Sequence, residues 1–181
     1  MLHSEFKDIF DREFAAPLSA IGFAFMGRSR TLQYLNNKSD LRIIRLGGRL
    51  LRQGEMRSVV CFRHTFLRPI NSDDPANAKN VEDFPRKQIF QDFSGFFSPK
   101  IGYQPENTGR WRKDSFDYQN ATNDDVIHRL RKFRYSVEKR IVPWADSLSP
   151  EDEMKQIKRF GEQAWCEQRW IEDYETFLSL Q

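Results

Sequence analysis

The chain has 181 residues, and its 29 Lys and Arg against 26 Asp and Glu give a formal net charge of only +3 at pH 7. This length suits one domain with a real hydrophobic core, and 16 Phe, 5 Tyr and 4 Trp exclude an intrinsically disordered chain. A charge of +3 does not by itself indicate a nucleic-acid or membrane binder. Any binding surface must therefore be sought in the distribution of charge along the chain.

The N-terminal sequence lacks the basic start and apolar stretch of a secretory signal, and nowhere do about eighteen apolar residues run together. We therefore expect a cytoplasmic protein that does not interact with a membrane. Cys61 and Cys166 have no metal-ligand spacing around them and are predicted to be unpaired thiols in a reducing compartment.

The first predicted element is a helix from Ser4 to about Ala20. Its apolar residues keep helical spacing at Phe6, Ile9, Phe10, Phe14 and Leu18. We expect Ser4 to cap this helix and Pro17 to end or kink it, because proline lacks a backbone N–H. Gly22 is predicted to turn the chain into a short extended segment.

Three extended runs follow, from Arg30 to Asn36, from Leu41 to about Arg52 and from Arg57 to Leu67. Turn-forming residues at 36–40 and 53–55 separate them, which predicts an antiparallel meander. In the third run the two-residue period of a strand places Val60, Phe62, His64 and Phe66 on one face, which we interpret as the core face.

The middle run also permits a helical interpretation, because Arg42, Arg45, Arg49 and Arg52 have spacings of three, four and three. Gly47 and Gly48 would cost such a helix about 2 kcal/mol relative to alanine, and the neighbouring β-branched residues suit a strand. We favour the strand.

Residues 69–122 have the least regular pattern, with a surface loop followed by an aromatic cluster between 84 and 97 for which we predict a short helix. The last third is predicted to be helical. One helix starts at Asn123 and ends near Pro143, and Ser149 caps a second helical region that reaches the C-terminus.

These elements predict an α+β fold, in which an antiparallel meander sheet is flanked by an N-terminal helix and two or more C-terminal helices. We expect one domain spanning residues 1–181, with 123–181 as its C-terminal helical part.

Three features resemble the bacterial family called domain of unknown function 4304: a first helix that runs into PLSAIGFAF, a meander directly after it, and a late helix ending in IVPWADSL. The resemblance covers about residues 5–160. It implies helices packed on an antiparallel sheet, with Gly22 and Phe23 as turn and core anchor and Pro143 and Trp144 as helix stop and packing aromatic. It implies no catalytic or ligand-binding residue.

Known catalytic and metal-binding patterns are missing from the sequence: no phosphate-binding glycine loop, no Gly-x-Ser-x-Gly elbow and no paired histidines are present. The acidic pairs at 73–74 and 124–125 are interpreted as turn and cap residues. We predict no cofactor and no metal. His64 is interpreted as a core histidine, and an acid–base role in a small enzyme with a pocket around it is the alternative.

The arginines are the best indication of function. Residues 41–68 contain seven arginines and one acid, and arginine's planar fork binds carboxylates and phosphates bidentately. The predicted basic patch consists of Arg42, Arg45, Arg49, Arg52, Arg57 and Arg63.

We expect these arginines to divide between ion pairs with the acidic C-terminal helices and an exposed patch that binds an acidic protein partner. The sequence thus favours a non-enzymatic protein-interaction domain. Nucleic acid is the less favoured partner, because Phe62 and Phe66 are predicted to point inward and not to offer stacking platforms.

Overall fold

A computed structural model describes residues 1–26, 31–46, 54–68, 116–164 and 167–181. Five strands are present in this part of the chain: β1 (Phe23–Phe25), β2 (Thr31–Leu35), β3 (Ser39–Leu46), β4 (Glu55–His64) and β5 (Phe116–Asp117). The α-helices are α1 (His3–Phe10), α2 (Ala16–Ser19), α3 (Asn123–Ser136), α4 (Val142–Ser147), α5 (Pro150–Phe160) and α6 (Trp170–Ser179). The predicted α+β fold is confirmed.

The N-terminal helix starts earlier than the sequence predicts. Leu2, with extended backbone angles, is the N-cap, and its N–H donates to Glu5 Oε2 at 2.9 Å. Ser4 therefore lies inside the first turn, and its predicted role as the cap is wrong. Glu5, three residues after the cap, satisfies the backbone N–H of the cap residue itself, as the glutamate of a capping box does.

Two prolines lie inside helical segments because a π-turn precedes each of them. The π-turn Asp11–Ala15 lies before Pro17, and the π-turn Val137–Ile141 lies before Pro143. A wider turn accommodates a residue that cannot donate an N–H to the preceding turn. The predicted end of the helix near Pro143 is consequently wrong, since helical structure continues to Ser147.

The sheet is an antiparallel meander with the strand order β1-β2-β3-β4-β5. Leu41 lies opposite Phe62 in the central pair, and Gly22, with φ +102°, makes the predicted turn before β1. Residues 39–46 are a strand, so the helical alternative is wrong for this segment. Residues 47–53 and the predicted aromatic helix at 84–97 lie outside the described residues.

The main core lies between one face of the sheet and the helices α1 and α3. Alternate residues of the central strands supply the sheet side, namely Leu32, Leu41, Ile43, Met56, Val60 and Phe62. Phe14 stacks on Phe133 with ring centroids 4.4 Å apart, and Phe6 stacks on Tyr118 at 4.0 Å. Burial of these rings provides the main driving force for packing α1 beside α3.

The last two helices form a second core at the end of β4. Leu67, Ile157, Trp170 and Tyr174 are fully buried there, and Phe66 stacks on Phe177 at 3.9 Å. The predicted cap of α5 is confirmed, because Ser149 Oγ accepts from the N–H of Asp152 at 3.1 Å. No helix among the described residues is long and apolar enough to cross a membrane.

We predict that Gly54→Ala destabilises the fold by about 1 to 3 kcal/mol, measured by urea unfolding. Gly54 has φ +89°, and a Cβ at this position would lie 2.6 Å from the Cβ of Gln119. Gly161→Ala is the matched control, because Gly161 also has a positive φ of +51° and its added Cβ would meet no described atom within 4 Å. Equal losses in the two variants would contradict a steric contribution at Gly54.

Candidate functional site

The central strands are buried on both faces, which changes the interpretation of their arginines. Arg42 and Arg63 lie on the face opposite Leu41 and Phe62, yet they are only 4 % and 6 % exposed. An antiparallel sheet often leaves one face in water, and the predicted patch assumed that it does so here. For Arg42 and Arg63 that assumption is wrong, so neither belongs to an exposed surface.

The two buried arginines share a buried carboxylate. Arg42 donates from Nε to Asp40 Oδ1 at 3.1 Å and from its terminal nitrogen to Oδ2 at 2.9 Å, while Gln33 Nε2 donates to Oδ1 at 3.0 Å. Arg63 Nε lies 3.9 Å from Asp40 Oδ2 and donates from a terminal nitrogen to the carbonyl of Leu67 at 3.0 Å. Asp40, 2 % exposed, is therefore the centre of a charge network inside the protein.

The other members of the predicted patch have different locations. Arg45 lies on the helix-covered face, with its guanidinium carbon 4.9 Å from the centroid of the Phe10 ring, a cation–π arrangement. Arg49, Arg52 and the side chain of Arg57 lie outside the described residues. A binding role for these three stays a prediction.

One arginine of the same segment pairs with an acidic C-terminal helix, as the sequence predicts. Arg68 Nε donates to Asp173 Oδ1 at 2.6 Å, and the backbone N–H of Arg68 donates to Oδ2 at 3.1 Å. Trp170 Nε1 donates to the carbonyl of Arg68 at 2.8 Å. These contacts attach α6 to the segment that follows β4.

His64 lies inside an aromatic cluster and is 3 % exposed. Its ring stacks on Phe66 at 5.5 Å and meets the rings of Phe62 and Tyr174 edge to face at 5.2 and 5.8 Å. Burial, and then the charge of Asp173, raises the pKa of the Tyr174 phenol well above its ordinary value. These surroundings favour the core interpretation of His64 over an acid–base role.

A cavity of about 410 Å³ opens at the corner between α4 and α5. Its lining consists of Ser147, Leu148, Asp152, Lys155, Gln156 and Arg159. His64 is not among these residues, so this cavity does not supply the pocket that the enzyme alternative requires. Within the described ranges, no three His, Cys, Asp or Glu side chains lie together as metal ligands would.

An exposed cationic surface lies on α3 and the π-turn after it. Its members are His128, Arg131, Lys132, Tyr135 and Lys139, together with Arg12 from the first π-turn, and we call this set the basic face. Tyr135 is 60 % exposed, and the side chains of Arg12 and Arg131 are each 59 % exposed. The residues at 126, 130, 133 and 137 lie on the opposite, buried side of the helix.

Glu13 connects the two helical segments that build the basic face. Arg12 Nε donates to Glu13 Oε1 at 2.9 Å, and Arg131 Nε donates to Oε2 at 2.7 Å. The backbone carbonyl of Glu13 accepts from a terminal nitrogen of Arg134 at 3.2 Å. This carbonyl is the one that an unbroken α-helix would pair with the N–H that Pro17 lacks.

The two arginines also set the electrostatics of this junction. Hydrogen bonds from Arg131 and then from Arg12 hold the pKa of the Glu13 carboxyl below its ordinary value, against the opposing effect of desolvation. The same hydrogen bond with Glu13 raises the pKa of Arg131. The two arginines therefore favour the ionised form of Glu13, which accepts from both of them.

Sequence reasoning overlooked the basic face although its signal is present. Residues 128–140 contain six Lys and Arg and one acid, Glu138. The exposed members have spacings of three, one, three and four, which places them on one side of a helix whose other side is apolar. The prediction was placed on the sheet because residues 41–68 contain the larger number of arginines, seven with one acid.

No protein-family profile, curated protein or solved structure matches the chain. The resemblance to domain of unknown function 4304, and the bacterial origin that it implies, therefore stay predictions.

We predict that Asp40→Asn lowers the free energy of unfolding by about 3 kcal/mol or more, because it removes the carboxylate that Arg42 and Arg63 share in the protein interior. Urea unfolding at pH 7 measures the loss. Glu175→Gln is the matched control, since Glu175 pairs with Lys158 across the surface and should change stability little. A similar effect of the two substitutions would contradict the buried network.

A second prediction concerns the pH dependence of stability at Glu13. Because the pKa of this carboxyl is lowered in the folded protein, its contribution is fully present above the ordinary glutamate pKa of about 4.3 and is lost as pH falls through the folded value. Wild type should exceed Glu13→Gln in unfolding free energy at pH 7, and the difference should shrink below about pH 4.3. A difference independent of pH between 7 and 3 would contradict the ion pairs.

Proposed function

We propose that this chain is a non-enzymatic interaction domain that binds an acidic protein through the basic face. The observation that carries the proposal is the exposure of Arg12, Arg131, Lys132 and Lys139 on one side of the molecule. Arg42 and Arg63 cannot bind a partner at the surface, because they are buried and interact with Asp40 inside the protein.

The composition of the basic face suits a protein interface. Tyr135 offers a large amphipathic ring between cations, and tyrosine and arginine are enriched among the residues that dominate binding energy at protein interfaces. Cations around such an anchor attract acidic partners over long distances and increase the rate of encounter.

The limited length of the cationic surface favours a protein over a nucleic acid. From residue 128 to 139 the helix rises only about 16 Å. Asp124 and Asp125 are exposed on the same side of α3, one turn before His128, and would repel a phosphate backbone that continued along the helix. Discrete carboxylates on a folded partner can occupy the cations and avoid these two acids.

We predict that Lys132→Glu combined with Lys139→Glu abolishes capture of an acidic protein from bacterial cytoplasmic extract. The experiment uses the immobilised full chain and extract with and without nuclease treatment, and mass spectrometry identifies what is captured. The purified partner should then bind the double variant at least about tenfold more weakly than wild type, by isothermal titration calorimetry.

The control is Lys155→Glu combined with Arg159→Glu, which makes the same change of net charge on exposed residues of α5. It should retain capture and affinity. Loss of capture on nuclease treatment, or an equal loss in the control variant, would overturn the proposal.

A further inference from the structure

We propose that Arg12 and Arg131, held by Glu13, form a clamp that binds a single carboxylate of the acidic partner. This inference rests on the proposed function and identifies the chemical group that the basic face selects. We call the three residues the arginine clamp.

Each guanidinium of the clamp is bound to Glu13 at its Nε and leaves its two terminal nitrogens at the surface. Each arginine uses its Nε to donate to Glu13, at 2.9 Å for Arg12 and 2.7 Å for Arg131. Among the described residues no hydrogen bond engages the terminal nitrogens of either side chain, and both side chains are 59 % exposed. The pair of terminal N–H groups at the end of each fork thus remains available for an external anion.

Glu13 is fixed more firmly than the arginines that it holds. It is 8 % exposed, and its own carbonyl is bound by Arg134 at 3.2 Å. Each of its two oxygens accepts from one Nε, so the two guanidiniums are held beside the same carboxylate. A free arginine side chain loses rotamer entropy when it binds, so a pair that is already oriented binds an anion with a smaller loss.

The charge of the clamp points to a carboxylate. Two guanidiniums and one glutamate leave a single positive charge, which one carboxylate neutralises. A carboxylate has two oxygens, so each oxygen can accept from one arginine, as the two oxygens of Glu13 already do from the two Nε groups. Lys132, the next residue after Arg131, adds electrostatic attraction for the anion, but its ammonium group cannot bind a carboxylate bidentately as a guanidinium can.

The decisive test is Glu13→Gln. A surface that binds by charge alone and a clamp oriented by Glu13 predict opposite changes in affinity for this variant. The substitution makes the clamp more positive, so a purely electrostatic surface should bind an anionic peptide more tightly. If Glu13 orients the arginines, binding should weaken by about tenfold despite the added charge, since glutamine's N–H₂ group cannot accept from the second arginine. The probe is a fluorescein-labelled peptide of ten glutamates, followed by anisotropy at low salt with the full-length protein.

Arg131→Lys keeps the charge and removes the fork, and we expect it to weaken binding of the peptide by about tenfold as well. Arg159→Lys is the matched control, because Arg159 is an exposed arginine of α5 outside the basic face, and it should bind like wild type. Urea unfolding shows whether each variant is folded, and if Glu13→Gln is not, Arg131→Lys and Arg12→Lys decide the question.

Tighter or unchanged binding by folded Glu13→Gln, or wild-type affinity in Arg131→Lys, would overturn the clamp. Stronger binding of a ten-nucleotide single-stranded DNA with the same ranking of variants would also overturn it, because the clamp would then select phosphate. If Lys132→Glu with Lys139→Glu abolishes peptide binding while the clamp variants match wild type, only the clamp fails. If none of these variants changes binding, the proposed function fails with it.

Discussion

Glu13 makes the polar contacts that join the N-terminal helical segment to α3 beside their apolar interface. Its backbone carbonyl, which Pro17 cannot satisfy, accepts from Arg134, and its carboxylate accepts from Arg12 and Arg131. The π-turn at 11–15 allows the helix to pass a proline and still present Phe14 to Phe133. The same contacts that align the two helices over the sheet also place Arg12 beside Arg131 on the outer surface.

The arginines that the structure describes have different roles, and burial separates those in the interior from those at the surface. Arg42 and Arg63 surround Asp40 in the interior, where removal of one charge leaves others without compensation. Arg68 anchors α6 through Asp173. Arg12 and Arg131 are bound at one end and exposed at the other, a combination that suits recognition of an external anion.

Much of the fold could be predicted from the sequence because it follows from local patterns. Helical spacing from Phe6 to Leu18, alternation through Val60 and Phe62, and the Ser149 cap with Pro150 each indicate an element that the structure contains. The errors at helix ends are local, whereas the errors about buried arginines involve contacts between distant residues. Pro143 was expected to end a helix, and a π-turn that no local signal indicates carries the chain past it.

The period of each element, the meander and the amphipathic character of α3 depend on residues a few positions apart, so they are predictable from the sequence. Which cations face water depends on long-range packing. Whether Arg42 is buried depends on what covers the second face of the sheet, and the pairing of Glu13 with Arg131 joins residues 118 positions apart. Hydrophobic periodicity does not specify such long-range neighbours, so the candidate site became visible only when α1 and α3 were packed together.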